Sequence, residues 1–295
     1  MPITIRALHE TFMGEVSGAD LTRPLDAAQV AAIEAGMDRH AVLVFHDQAV
    51  TDEQQVAFSR NFGALEPAVN SNVTALADRR LGLELADVSN LDKDNRIFGR
   101  DDRRRMFNLG NMLWHSDASF RAVPAKYSLL SGRAIPSWGG NTEFADMRAA
   151  YDALDEATKR EIEGLVCEHS LMFSRGVLGF GPFSDDEKKS FRPVRQKLVR
   201  VHPVTGRKSL FLSSHIGGIV GWPVPEARAY IRDLTEHATQ RKFVHAHEWR
   251  VGDLVMWDNR MVMHRARAFR DLEEVRDLRR TSLKGTGLTM AQAAE

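Results

Sequence analysis

The stretch Trp114-His115-Ser116-Asp117 decides how this chain is interpreted, because it sets an imidazole and a carboxylate two residues apart. In an extended backbone, side chains two positions apart project from the same face. His115 and Asp117 can then grip one ion from one side. An imidazole nitrogen together with a carboxylate oxygen suits a borderline divalent metal such as Fe(II).

His264 is the best candidate for a third ligand, and it lies in the segment WDNRMVMHRA at residues 257–266. Two histidines and one carboxylate leave positions open at the metal for substrate and oxygen. A His-x-Asp triplet alone is weak evidence, since a chain with 11 histidines contains such triplets by chance. The plain alternative is a solvated turn, so the other features of the chain have to decide.

Length and charge limit the classes of protein to which this chain can belong. The chain has 295 residues, with 40 basic and 40 acidic side chains and a formal net charge of zero. This length fits one large domain or two small ones, and a single all-β domain with added helices is compatible with it. Nucleic-acid and membrane-surface binding normally need a basic excess. We therefore expect neither partner.

Cysteine usage and the N-terminus favour a cytoplasmic protein. Cys167 is the single cysteine, which excludes an intrachain disulfide and argues against a thiolate metal cluster. We expect it to be buried packing. The first residues, MPITIR, lack the basic-then-apolar pattern of a signal peptide. No apolar run approaches the roughly 20 residues of a membrane span.

Short strands dominate the pattern along the chain. Apolar or alternating runs predict strands, and capping signals predict helices. The expected strands lie within residues 3–24, 41–45, 127–134, 198–201, 210–212 and 249–257, the last divided into two strands by a turn at 251–253. The expected helices lie at 28–38, 51–63, 146–154, 155–165 and from 225. Many short strands with a few inserted helices predict a mainly β fold with a jelly-roll core. In such a barrel, segments far apart in sequence meet at one mouth.

Two regions lack the regular spacing of apolar residues that marks a helix or a strand. Residues 64–112 are polar, with one strand-like piece at 83–88, and residues 174–195 are rich in glycine, proline and charge. Long loops in compact domains are often functional, so we expect substrate selection and a covering loop there. The run Arg103-Arg104-Arg105 is expected to be a solvated or substrate-facing loop. Without repeat or linker, residues 1–295 are predicted to form one domain, with 286–295 a frayed tail.

An ordered set of motifs resembles a known family. In chain order these are Val44-Phe45, Phe58-Ser59-Arg60-Asn61-Phe62-Gly63, Trp114-His115-Ser116-Asp117, Gly139-Gly140-Asn141-Thr142-Glu143-Phe144, Gly252-Asp253, Trp257-Asp258-Asn259-Arg260, His264-Arg265, and Arg276 with Arg280. From about residue 10 to 283 the chain resembles the Fe(II)- and 2-oxoglutarate-dependent dioxygenases of the taurine and 2,4-dichlorophenoxyacetate type. Residues 85–90 and 146–154 look nearest to the phenoxyacetate-cleaving branch. The family fold is a double-stranded β-helix (jelly roll, cupin-like).

The resemblance implies the iron and co-substrate residues. His115, Asp117 and His264 match the family's three iron ligands, which leave sites for 2-oxoglutarate and O2. Arg276 matches the arginine that binds the distal carboxylate of 2-oxoglutarate, and Thr142 matches its hydroxyl partner. A planar guanidinium can meet a carboxylate with two parallel hydrogen bonds, which a lysine cannot.

The substrate residues are less firmly marked. Arg280 matches the residue that meets the substrate's anionic group, and on a strand it would share a face with Arg276. Asn111 and Ser119 are candidates for substrate contact, although either could equally support the loop backbone. His202 and His215 match histidines of the phenoxyacetate branch, with surface or core packing as the alternative. Trp114 and Trp257 are expected to be core walls that shield the iron.

The implied function is oxidative degradation of a small anionic aromatic compound. The dioxygenase would hydroxylate the carbon next to the ether oxygen of an aryloxyacetate such as 2,4-dichlorophenoxyacetate, giving a phenol, glyoxylate, succinate and CO2. Residues 69–80 and 92–107 match this branch less well, so taurine, another sulfonate or a plant aromatic acid remains an alternative substrate. A small-acid-binding barrel or a metal-dependent hydrolase is a rival, but neither explains Thr142, Arg276 and Arg280. The sequence leaves homo-oligomerisation open.

Overall fold

A computed structural model describes residues 2–68 and 73–291. The strands are β1 (Thr4–Ala7), β2 (Gly14–Ser17), β3 (Val42–Phe45), β4 (Ala86–Ser89), β5 (Tyr127–Ala134), β6 (Thr142–Asp146), β7 (Val166–His169), β8 (Val194–Lys197), β9 (Val199–Val201), β10 (Lys208–Leu210), β11 (Ile216–Ile219), β12 (Val244–His247), β13 (Leu254–Asp258), β14 (Val262–Ala266) and β15 (Asp277–Ser282). The helices are α1 (Ala27–His40), α2 (Asp52–Arg60), α3 (Arg103–Asn108), α4 (Met147–Asp152), α5 (Glu156–Ile162), α6 (Leu171–Val177), α7 (Asp185–Ser190) and α8 (Val224–Ala238). Short 3-10 turns occupy Leu76–Asp78, Leu109–Met112, Arg241–Phe243 and Thr289–Ala291.

Two sheets face each other at the centre. The larger has the order β1-β2-β3-β13-β5-β15-β4, and the smaller has the order β12-β6-β14. Strands from both ends of the chain are neighbours in the larger sheet, as a jelly roll requires. The additional pairs β10-β9 and β11-β7-β8 extend the molecule beside α8.

Alternation along β13 shows how the layers are built. Val255 and Trp257 pack with Phe144 of β6, so they fill the space between the two sheets. Their neighbours Leu254 and Met256 point to the opposite face and pack with residues of α1 and α2. A strand that alternates in this way is buried on both faces, which explains its continuous apolar sequence. The arrangement confirms the predicted double-stranded β-helix core with added helices.

The register of β14 places a functional side chain between the sheets. His264 pairs with Phe144 of β6. Val262, two residues earlier, packs in the core between the sheets, whereas Met263 packs on the outer face with residues of α4 and α8. His264 therefore shares the inward face of the strand with Val262, because the side-chain period of a strand is two.

Helix α2 begins at the predicted capping box. The Gln54 backbone N–H donates to the Thr51 hydroxyl, and the Thr51 N–H donates to the Gln54 side chain. The buried Gln55 amide then donates to the carbonyls of Leu129 and Arg279. These bonds attach the helix to β5 and β15 and fix the strand that carries the predicted arginines.

Two local predictions were wrong, and a third was only partly correct. Residues 103–105 begin α3 instead of forming a solvated loop, and Arg105 pairs with Asp271 at 2.7 Å. The expected loop 174–195 contains the end of α6 and all of α7. The turn predicted at 251–253 is present, but of the two short strands expected within 249–257 only the second forms, as β13. Helices of six or seven residues span fewer than two turns and so leave little periodic signal. Residues 69–72, which belong to the polar region 64–112 that was predicted to be a long loop, lie outside the described residues.

The described C-terminal residues pack against β8. Within the tail that was expected to fray, Thr289–Ala291 form a 3-10 turn. Thr289 is buried, and its hydroxyl donates to the Gln196 side chain and accepts from the Lys197 backbone N–H. Fraying does not describe this turn, because burial and hydrogen bonds hold it. Residues 292–295 of the predicted tail lie outside the described residues.

The length and apolar character of each helix decide whether it could cross a membrane. The longest described helix, α8, has 15 residues. In the part of the chain that the structure describes, no helix combines the length and the apolar character needed to cross a bilayer.

Candidate active site

The two histidines predicted as ligands are joined through their backbones. The His115 N–H donates to the His264 carbonyl at 3.0 Å, and the His264 N–H donates to the His115 carbonyl at 2.8 Å. This antiparallel bridge sets the ring centroids 4.2 Å apart. The segment before Asp117 is therefore extended at His115, as its spacing predicted, and turns after Asp117, where Ala118 has a φ of 54°.

Asp117 completes the group. One of its carboxylate oxygens lies 3.9 Å from His115 Nε2, and the other lies 3.8 Å from His264 Nε2. One ligand atom from each of the three side chains falls within 4.8 Å of the others. All three residues are buried. The structure thus brings together the predicted triad in a form that can hold one metal ion.

The protonation states suit a divalent metal. Burial lowers the pKa of His115 and holds that of His264 well below its ordinary value, so both imidazoles are neutral. Burial alone would raise the pKa of Asp117, but the charge of Arg280 and the hydrogen bond from Ser128 act against it and lower that pKa below its ordinary value. Two neutral imidazoles and one carboxylate are the donor set of non-haem Fe(II) sites. The residues present therefore fit iron.

A hydrogen-bond network orients the carboxylate. The Ser128 hydroxyl donates to Asp117 Oδ2 at 2.7 Å, and Asn259 Nδ2 donates to that hydroxyl at 3.0 Å. Asn259 Oδ1 accepts from the Asp117 backbone N–H at 3.1 Å and from the Trp257 indole at 3.0 Å. Trp257 thus shields the site, as predicted, and also holds the amide that positions Asp117. Sequence reasoning missed Ser128 and Asn259.

Replacing Ser128 with alanine is expected to weaken Fe(II) binding by about 10- to 100-fold, because groups that orient a metal ligand typically contribute this much to affinity. Anaerobic metal titration measures the effect. Ser131→Ala is the matched control, since Ser131 is a buried serine on the same strand whose hydroxyl donates to Gln55. Equal affinities for the Ser128 and Ser131 variants would contradict the positioning role.

Arg276 and Thr142 line a cavity that His115 and His264 also line. Arg276 is buried, and its Nε donates to the Gly140 carbonyl at 3.1 Å. Burial lowers the pKa of Arg276 to about 10. The buried Thr142 hydroxyl accepts from the Trp249 indole at 3.0 Å. A cation and a hydroxyl therefore border this cavity, as predicted.

Gly140 makes this approach feasible. It has a φ of +71°, which L side chains rarely adopt, and a Cβ there would meet the Arg276 side chain at 3.2 Å. Only glycine combines that backbone with such a close neighbour.

Arg280 stands between two cavities. Its Nη1 donates to Asp117 Oδ1 at 2.5 Å. It lines the cavity of Arg276, so the two arginines do face one space, and it also lines a second cavity. This second cavity shares Asn111 and His115 with the first and is also lined by Asp117, Arg175 and His215.

The structure places Asn111 and Ser119, the two weaker candidates for substrate contact, in different surroundings. Asn111 lines both cavities, and its Oδ1 accepts from Arg175 Nη2 at 3.2 Å. Ser119 is fully buried, and among the described residues it lines neither cavity. Its carbonyl accepts from the Gln196 amide at 3.0 Å. The structure therefore brings Asn111 to the site and assigns Ser119 to loop support.

The two branch-matched histidines also differ. His215 lines the second cavity, 6.1 Å from the His115 ring, and its Nδ1 is 2.8 Å from the Ser174 hydroxyl. His202 lies 3.4 Å from the buried Asp258 carboxylate, away from both cavities, so it packs. Sequence reasoning also missed Arg175, because it falls in the segment expected to be a loop.

Comparison with known proteins gives close matches over nearly the whole length. Residues 4–282 match the family model described as "Taurine catabolism dioxygenase TauD, TfdA family". The chain is 45% identical to an alpha-ketoglutarate-dependent 2,4-dichlorophenoxyacetate dioxygenase of Burkholderia sp. (strain RASC), covering 97% of this chain and 95% of that protein. It is 38% identical to an (S)-phenoxypropionate/alpha-ketoglutarate-dioxygenase of Sphingobium herbicidovorans, with 89% and 88% covered.

Solved structures agree. The crystal structure of AAD-2 in complex with Mn(II) and N-oxalylglycine matches with a TM-score of 0.96 and 58% identity, covering 98% of this chain and all of that one. A putative alpha-ketoglutarate-dependent 2,4-D dioxygenase from Burkholderia xenovorans matches with a TM-score of 0.81 and 41% identity, covering 96% and 97%.

Proposed function

Because the chain belongs to the taurine catabolism dioxygenase TauD, TfdA family, we propose that it hydroxylates the carbon next to the ether oxygen of an aryloxyacetate such as 2,4-dichlorophenoxyacetate. It is a 2-oxoglutarate-dependent dioxygenase that uses Fe(II), 2-oxoglutarate and O2. The observation that carries the substrate proposal is a buried triad set between two cavities, each lined by arginine. One cavity suits the co-substrate and the other suits a second small anion.

We assign the iron ligands as His115, Asp117 and His264. Their ligand atoms converge, their imidazoles are neutral and their carboxylate is ionised. We assign Arg276 and Thr142 to the distal carboxylate of 2-oxoglutarate. Support comes from the burial of Arg276 without an ion pair among the described residues, since a guanidinium can meet a carboxylate with two parallel bonds.

The protein contributes position and shielding, while the bound cofactors perform the oxidation. Bound Fe(II) and 2-oxoglutarate would supply oxidation of a C–H bond by O2, in which 2-oxoglutarate loses CO2 and takes one oxygen atom to become succinate, while the other oxygen atom enters the product. Arg280 meets the substrate's anionic group and Asn111 lines its path, so the ether-linked carbon is held beside the triad. The hydroxylated carbon is a hemiacetal, which breaks into a phenol and glyoxylate.

Product analysis tests the proposal. Purified protein with Fe(II), ascorbate, 2-oxoglutarate and 2,4-dichlorophenoxyacetate is expected to form succinate and the phenol in equal amounts. Taurine and an aryloxypropionate are assayed in parallel. Succinate formed only with taurine would overturn the aryloxyacetate substrate and keep the dioxygenase. Product release without 2-oxoglutarate would indicate a hydrolase, and ligand binding without any product would indicate a binding protein.

Three further expectations remain part of the proposal. The chain forms one catalytic domain, supported by the larger sheet, in which β3 from one end pairs with β13 from the other. The cytoplasmic location and the homo-oligomeric state stay predictions.

A further inference from the structure

Arg175 of α6 is a buried arginine that the proposed reaction has not used. It is 5% exposed. Its guanidinium lies against Gly110, where any Cβ would collide with it, and 4.6 Å from the centre of the Phe107 ring. Nη2 donates to Asn111 Oδ1 at 3.2 Å, and Nη1 donates to the Ser174 hydroxyl at 3.4 Å. The guanidinium is thus held in one orientation by neutral groups.

No carboxylate pairs with Arg175 in the ranges 2–68 and 73–291, and its Nε has no hydrogen-bond partner there. Burial lowers its pKa to about 10. Arg80 shows the usual alternative, because it is also largely buried but pairs with both Asp87 and Asp277. A buried charge without a counter-ion is costly, so a fold that keeps one in a cavity has a use for it.

The cavity around Arg175 leaves its charge uncompensated. The lining acids already have basic partners, namely Glu66 with Arg121, Glu84 with Arg60, Asp87 with Arg80 and Asp117 with Arg280. Arg175 and the neutral His215 remain on the wall beside His115. Arg276 is likewise a buried guanidinium without an ion pair among the described residues, and it faces a cavity that no acidic residue lines.

We propose that Arg175 is a second guanidinium for the carboxylate of the oxidised substrate, acting alongside Arg280 in the cavity that both arginines and His115 line. Asn111 and Ser174 orient it, and the Phe107 ring supports its plane. The inference rests on the proposed function, since it assigns a specificity residue for the same site. Under this assignment, 2-oxoglutarate meets Arg276, and the substrate carboxylate meets Arg175 together with Arg280.

Ligand binding tests this assignment without turnover. Dissociation constants of an aryloxyacetate and its neutral amide are measured anaerobically by calorimetry with Fe(II) and 2-oxoglutarate present. Arg175→Met is expected to weaken binding of the carboxylate by about 10- to 100-fold and to leave binding of the amide nearly unchanged, because a charged hydrogen bond contributes this much. Arg175→Lys is expected to lie between, since it keeps the charge and loses the planar pair of donors.

Arg200→Met is the matched control. Arg200 is also buried, lies 4.6 Å from the centre of the Phe211 ring and has a pKa lowered to about 10 by burial, but it lines neither cavity. Its variant is expected to keep the wild-type preference for the carboxylate. Thermal midpoints and 2-oxoglutarate affinity report whether each variant is folded.

Each result has a separate meaning. Equal weakening of carboxylate and amide in folded Arg175→Met would overturn the anion role and leave a packing role. Wild-type affinity for the carboxylate in that variant would overturn the inference as well. If wild-type protein binds 2-oxoglutarate but no aryloxyacetate, the proposed substrate fails, and the Arg175 assignment made for it fails too.

Discussion

Asp117→Ala is expected to abolish turnover and to remove the weak visible charge-transfer band that Fe(II) and 2-oxoglutarate give together under anaerobic conditions. Asp117 supplies the one anionic ligand of the proposed triad. Its loss also frees Arg280, which donates to it at 2.5 Å, and so leaves a cation beside two neutral imidazoles. The freed Arg280 cation then repels a divalent metal ion at the position where the Asp117 carboxylate attracts it in the wild type. We expect a larger loss of affinity than the about 10- to 100-fold expected for Ser128→Ala.

Anaerobic titration with both cofactors measures this loss. Asp117→Asn separates charge from shape, because the amide keeps the size of the side chain and lacks the charge. Asp155→Ala serves as the control, since Asp155 is an exposed residue at the start of α5. A full-strength band in folded Asp117→Ala would remove this residue from the ligand set, and the whole triad assignment would have to be revised.

Arg276→Met is expected to raise the KM for 2-oxoglutarate by about 100-fold or more. Two charged hydrogen bonds contribute roughly 1.5–3 kcal/mol each, and every 1.4 kcal/mol is a factor of ten. The effect should appear in KM for the co-substrate, because the bonds hold its distal carboxylate in both the bound and the reacting complex. Binding of the aryloxyacetate should change far less, since Arg276 lies in the other cavity.

Arg279→Met is the matched control for that experiment. Arg279 lies on β15 close to Arg276, but it pairs with Asp52 at 2.7 Å and with Asp277. Among the described residues it lines neither cavity. Steady-state rates at varied 2-oxoglutarate distinguish the two variants. If both raised KM equally, a general disturbance of the strand would explain the result and the assignment of Arg276 would lose its support.

Sequence reasoning reached the parts of this protein whose signals are local. The strand predicted at 127–134 is present as Tyr127–Ala134, and the capping box at Thr51 opens α2. The period of two put His115 and Asp117 on one side, and the ordered motifs supplied His264. Each of these depends on residues close in sequence or on a motif that can be recognised whole.

The contacts that complete the site depend on distant residues. Ser128 reaches Asp117 only because β5 passes beneath the turn, and Asn259 joins them from the end of β13. Arg175 sits on a seven-residue helix in a segment rich in glycine, proline and charge, so neither period nor composition marked it. Ser119 is a different case, because its position next to a motif left both substrate contact and loop support open, and it lies in the packing beneath that motif.

The pairing of β14 with β6 makes the short turn at residues 259–261 part of the iron site. A slip of one residue would carry His264 to the outer face, where Met263 now packs, and would leave the other two ligands in place. This turn should therefore accept no insertion or deletion, and Asn259 within it is constrained further by its hydrogen bonds to Ser128 and to the Asp117 N–H. The loops that line the cavities are not bound to a fixed number of residues in this way. The catalytic centre can consequently stay constant in a lineage while cavity loops gain and lose residues and the substrate changes.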